Sequence, residues 1–143
     1  MDKKYFLQKV TAPEISKIIN KGLVDYNLSI IPIDIPERLI RFDFAAMNTE
    51  EKVIGGVLAV LGYWAGLEIS CIWVDKDYQK LGIGSLLLKK AEDEAKKMGA
   101  YISLLDTFDF QAPDFYIKNG YEVCGTVEGF PKGHKRYYFK KEL

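Results

Sequence analysis

Histidine and cysteine are almost absent from this 143-residue chain, which has one histidine, His134, and two cysteines, Cys71 and Cys124. The cysteines are far apart, with neither a metal-ligand spacing nor a disulfide framework. Both sit in apolar, strand-like surroundings, so reduced, buried thiols are expected and no metal site is. Net charge is missing too. Twenty Lys and Arg balance twenty Asp and Glu, which removes any bulk attraction to nucleic acid or to an anionic membrane. Long apolar runs are also lacking. The stretch Val53–Leu67 is free of charge between Lys52 and Glu68, but it falls short of the roughly 20 residues that a helix needs to cross a bilayer. Its glycines at 55, 56, 62 and 66 suit bends and close backbone approach in strands better than a helix interior. The first ten residues turn polar too soon to form the apolar region of a signal peptide, so a cytoplasmic protein is expected.

At 48% hydrophobic and 28% charged, the chain reads as one globular domain, residues 1–143, able to bury a core. Residues 4–10 look like a short strand. Ala12-Pro13-Glu14 opens a helix running to about Asn27. A loop from Ser29 to Glu37, punctuated by Pro32 and Pro36, leads into a strand-like run from Leu39 to Met47. The uncharged stretch becomes a buried hairpin with strands near 53–62 and 67–74. Ile83, Leu86, Leu87, Ala91, Ala95 and Met98 fall at helical spacing, with Gly99 as the C-terminal stop. A strand at 100–107 follows, then a helix near 112–119 closed by Gly120, then strands near 121–128 and 134–141. This order implies an α/β (α+β) fold with a mixed sheet and helices on both faces.

The segment with chemistry in it is Val74 to Gly84, which joins an apolar strand to an amphipathic helix through Gln-x-x-Gly-x-Gly: Gln79, Gly82, Gly84. Glycines without Cβ let backbone N–H groups come close to an anion at the first turn of a helix, where the helix dipole adds attraction. A glycine-rich packing turn that binds nothing is the bland alternative. The Lys-Ser/Thr of a nucleoside-triphosphate loop and the third glycine of a dinucleotide fingerprint are both missing. The segment resembles motif A of the GNAT family of N-acetyltransferases, whose Gln/Arg-x-x-Gly-x-Gly/Ala turn holds the pyrophosphate of acetyl-CoA.

That resemblance implies a single-domain fold with a mixed, mostly antiparallel central sheet of six to seven strands. It also implies acetyl-CoA as co-substrate, held by Gln79, Lys80, Leu81, Gly82, Ile83, Gly84 and Ser85. Main-chain groups of Ile72, Trp73 and Val74 would pair with the pantetheine arm as another strand would. In well-studied members a Glu lies eleven residues before the Gln or Arg of the turn, and Glu68 precedes Gln79 by that interval. Strict alternation from Leu67 to Val74 places Leu67, Ile69, Cys71 and Trp73 on one face and Glu68, Ser70, Ile72 and Val74 on the other. Glu68 reads either as a solvated carboxylate or as a general base, because an amine near pKa 10 arrives as ammonium and must lose a proton to attack a thioester.

Asp109 to Tyr121 resembles the family's Asn-x-x-Ala-x-x-Phe/Leu-Tyr-x-x-x-Gly-Phe/Tyr segment. Ala112 matches its cofactor-binding alanine, and Tyr116 matches the tyrosine that protonates the departing CoA thiolate; the competing reading of Tyr116 is aromatic packing beside Phe115. Asp109 stands where the family usually has Asn, and an ionised Asp accepts hydrogen bonds without donating any. His134 reads as a solvated turn residue among Lys132, Lys135 and Arg136. These charges near Tyr137 and Tyr138 are better explained as protection of a sheet edge than as a nucleic-acid surface. Asp34 could meet a cationic acceptor.

The chemistry implied is acetyl transfer to a primary amine of a small molecule or protein in a ternary complex, with strand N–H groups near Ile72 stabilising the oxyanion. The partners implied are acetyl-CoA and an amine acceptor, with no nucleic acid or membrane; a homodimer is allowed. A non-catalytic acyl-CoA-binding regulatory module would share the glycine turn but would need neither Glu68 nor Tyr116.

Overall fold

A computed structural model describes residues 3–35 and 39–143 and divides the chain after Ile33 into two units. The first unit contains helix α1 (Pro13–Ile30). Pro13 suits a first helical position, where its missing N–H has no partner to lose, and Glu14 lies in the first turn. The helix passes the expected end near Asn27 and stops where Ile31 N–H bonds Asn27 O at 2.9 Å. Residues 3–12 are not a strand, which corrects the expectation for 4–10. Strand-like composition does not suffice without a ladder partner. Of the expected 29–37 loop, Pro32 is in irregular structure, while Pro36 and Glu37 lie outside the described residues.

The second unit is built on a sheet of β1 (Ile40–Arg41), β2 (Phe44–Met47), β3 (Val53–Leu61), β4 (Gly66–Val74), β5 (Ile102–Phe108), β6 (Glu122–Glu128) and β7 (Lys135–Glu142). The order is β1-β3-β4-β5-β7-β6, with β2 also paired to β3. Only β4 and β5 run parallel, as their connection through helix α2 (Ile83–Lys97) requires. The expected mixed, mostly antiparallel sheet is therefore present. The run 39–47 is two strands rather than one. Between them Asp43 turns its carboxylate onto Ala59 N–H, at 3.1 Å, and onto the Arg41 guanidinium.

Helix α2 presents Leu87, Leu88, Ala91 and Ala95 to the core, where they join Val57, Ala59, Leu61, Leu67 and Ile69 from β3 and β4. The two alanines are 0% exposed, so small side chains let the helix lie close on the sheet. Gly99, at φ +98°, follows the helix end as expected. Helix α3 (Pro113–Lys118) adds Tyr116 to this core beside Phe139.

A β-bulge changes the faces of β4. Leu58 pairs with Cys71 and Ala59 with Ile69, which leaves Ser70 as the extra residue. Beyond it the alternation is inverted. Ile72 and Val74 join Leu67 and Ile69 on the α2 side, and Cys71 and Trp73 turn to the open face with Glu68. This corrects the strict alternation read from the sequence. It also corrects the expectation of buried thiols, because Cys71 and Cys124 are both exposed. Cys124 is exposed for a separate reason: β6 is an edge strand with most of its side chains in solvent.

Candidate active site

Strands β4 and β5 are paired only through Gly66–Ile102, Leu67–Ser103 and Glu68–Leu104. Past that point β3 stays paired to β4 as far as Val74, and β7 stays paired to β5 as far as Phe108. The sheet is thus held on both sides of an opening. Its inner edges, Ile69–Val74 and Leu105–Phe108, have no ladder partner in each other, which suits an extended ligand bearing amide groups. Ile72, Trp73 and Val74 line one edge. Glu68 is the last β4 residue paired to β5, and it is exposed on the open face.

Tyr116 approaches from α3. Its ring packs on Phe115, Tyr121 and Phe139 at centroid distances of 5.1, 6.0 and 5.9 Å, and the residue is only 8% exposed. Among the described residues its hydroxyl has no hydrogen-bond partner, yet no side-chain polar atom there is both buried and unpaired. The hydroxyl therefore reaches solvent. Burial, followed by the charges of Cys71 and Asp106 on the two edges of the opening, raises the Tyr116 pKa above 10.0. The group keeps its proton at neutral pH and can donate it.

The glycine turn sits at the end of β4. Asp75 accepts from Asp77 N–H at 3.0 Å in the short helical turn Lys76–Tyr78, and Gln79 Nε2 donates to Val74 O at 3.1 Å. Lys80 at φ +62° and Gly82 at φ +80° reverse the chain into α2. The first intrahelical bond runs from Leu86 N–H to Gly82 O, so the amides of Ile83, Gly84 and Ser85 have no acceptor within the helix.

The two glycines of the turn do different work. Gly82 is required for its positive φ, and a Cβ there would stand in open space. A Cβ on Gly84 would lie 3.2 Å from Phe115 Cε2 and Cζ, so Gly84 lets α2 and α3 pack closely. Ala112 is the N-cap of α3. Asp109 uses both carboxylate oxygens within the protein: Oδ2 accepts from Lys135 N–H at 3.1 Å, and Oδ1 lies 3.0 Å from His134 Nδ1. The acid in place of the family's Asn thus ties the β6–β7 hairpin to the end of β5. His134 is partly exposed, as expected of a turn residue, and Asp34 is exposed, its N–H bonded to Tyr63 O.

Sequence reasoning missed Asp106 and Arg136. They meet only through the β5–β7 register, which pairs Asp106 with Tyr138 and Phe108 with Arg136, and no local motif signals it.

A mixed sheet opened between two parallel strands, with helix-leading amides at the mouth of the opening, defines the acyltransferase class that the sequence resembles. Residues 32–121 match the acetyltransferase (GNAT) family model. A blasticidin-S acetyltransferase of Streptomyces morookaense is 36% identical over 99 residues, 68% of this chain and 72% of the relative. An acetyltransferase of Agrobacterium fabrum is 26% identical over 141 residues, 97% of this chain and 98% of its own. The crystal structure of an acetyltransferase from Bacillus cereus superposes with a TM-score of 0.88 at 36% identity, covering 96% of this chain and 98% of that one. The chain belongs to the GNAT acetyltransferase family and is an acetyl-CoA-dependent acetyltransferase. Among the described residues no helix is long and apolar enough to cross a membrane.

Proposed function

We propose that the chain acts as one catalytic domain in the cytoplasm, transferring acetyl from acetyl-CoA to a primary amine of a small molecule by direct attack in a ternary complex. One observation carries this reading. The opening between β4 and β5 begins at Glu68, on the open face, while Tyr116 stands on the core side with a protonated hydroxyl that has no partner among the described residues. In this reading the amides from Gly82 to Ser85 receive the pyrophosphate, and the edge Ile72–Val74 pairs with the pantetheine arm. Glu68 takes a proton from the acceptor ammonium, directly or through water, and the freed amine attacks the thioester carbonyl. Strand amides near Ile72 stabilise the oxyanion, and Tyr116 gives its proton to the thiolate as the carbon–sulfur bond breaks.

The name of the Streptomyces relative makes blasticidin S the first acceptor to try. The test is thiol release from acetyl-CoA by the full chain over a panel of amines that includes blasticidin S. Acetylated nitrogen in the product is expected. A folded protein that binds acetyl-CoA yet gives no amine-dependent thiol release contradicts the reading. A homodimer belongs to the same proposal. Light scattering that gives a monomer mass at all concentrations removes this part.

A further inference from the structure

We propose that Asp106 selects the acceptor by docking a second cationic group of a diamine whose reacting nitrogen faces Glu68. The inference rests on the transfer reading above. Asp106 lies two residues beyond Leu104, the β5 partner of Glu68, so alternation returns it to the same open face. Two residues along a strand (about 6.6 Å) and one strand across (about 4.8 Å) put the two Cα atoms about 8 Å apart. A diamine with a short methylene linker spans the carboxylates.

The carboxylate of Asp106 is set in place before a ligand arrives. Arg136 reaches it from β7 with Nη2 at 2.7 Å and Nε at 2.8 Å, both on Oδ1. The guanidinium is itself flanked by the rings of Phe108 and Tyr138, at 5.5 and 5.3 Å. Oδ2 has no partner among the described residues, and the side chain is 38% exposed. Arg–carboxylate pairs frequently spread the guanidinium fork over both oxygens. Here one oxygen is held and the other is presented, on the edge of the opening where transfer takes place. An ammonium meeting Oδ2 forms a charge-assisted hydrogen bond without further ordering of the carboxylate.

The test compares 1,4-diaminobutane with 1-aminobutane as acceptors or, where turnover is slow, as competitors of the best amine from the panel. Wild type, Asp106→Asn and Asp106→Glu are compared, with thermal melts and acetyl-CoA titration as controls for folding. Wild type is expected to favour the diamine by about tenfold in kcat/KM, through KM. Asp106→Asn should bring that ratio close to one, and Asp106→Glu should restore part of it. A wild-type ratio near one overturns the proposal whatever the variants do, as does a full preference retained in Asp106→Asn. If neither amine binds or reacts and no amine in the panel releases thiol, both readings fall. If the two amines react equally, only the role of Asp106 falls.

Discussion

Tyr116 and Tyr121 lie in one short segment, meet edge to face at 6.0 Å and are both almost wholly buried. Their hydroxyls are treated in opposite ways. That of Tyr121 donates to Glu92 Oε1 at 2.8 Å and accepts from Ser103 at 2.7 Å, while Lys141 closes the network on Glu92 Oε2 at 2.7 Å. Glu92 is 5% exposed, and a buried carboxylate is tolerable only with such partners. Tyr116 has the same side chain and a similar burial, and its hydroxyl has no hydrogen-bond partner among the described residues. A phenol fully committed to hydrogen bonds holds α2, β5 and β7 together. A phenol with none is available to a substrate.

The largest effect is expected from Glu68, where the opening begins. Glu68→Gln keeps the shape and removes the proton acceptor, so turnover should fall roughly 10²–10⁴-fold with acetyl-CoA binding retained, and raising the pH should restore part of it. Turnover unchanged at neutral pH would move the base elsewhere. Gly82→Asp separates binding from both tyrosines. The new side chain enters open space in a backbone conformation that Asp tolerates better than most residues, yet it brings negative charge to the helix-leading amides. Calorimetry should show acetyl-CoA bound roughly 10–100-fold more weakly; equal affinity removes the anion site.

Tyr121→Phe should act in the other direction from a catalytic change. It leaves Glu92 and Ser103 short of a partner, at a cost of about 1–3 kcal/mol in denaturant unfolding, with single-turnover transfer within about twofold of wild type. The smallest effect is alkaline. Burial is the first cause of the raised pKa of both tyrosines, so the neutral phenols stabilise the fold. That contribution is complete below pH 10, where unfolded tyrosine is still protonated, and is lost as pH rises above it. Tyr121→Phe should flatten the decline in melting temperature above pH 10; an unchanged decline places the alkaline sensitivity elsewhere.

Much of this arrangement was legible in the chain. The turn glycines, Pro13, and the glycines after α2 and α3 punctuate the sequence where the elements change, because they act through local backbone geometry. What escaped depends on neighbours. The bulge at Ser70 adds one residue to β4 without any local signature, and it alone moves Trp73 and Ile72 to opposite faces from those expected. Residues 4–10 have strand-like composition but no partner strand. The work of Gly84 was visible only once Phe115 lay against it, and the Asp106–Arg136 pair exists only in the β5–β7 register.

The contrast between the two tyrosines is tested most directly by single-turnover acetyl transfer, with enzyme in excess over acetyl-CoA and the best amine of the panel saturating. Tyr116→Phe keeps the ring packing and removes only the free hydroxyl. Its transfer rate should fall roughly 10²-fold while its acetyl-CoA dissociation constant and its melting temperature stay near those of wild type. Equal single-turnover rates for Tyr116→Phe and wild type would contradict the account and leave Tyr116, like Tyr121, a residue of the core.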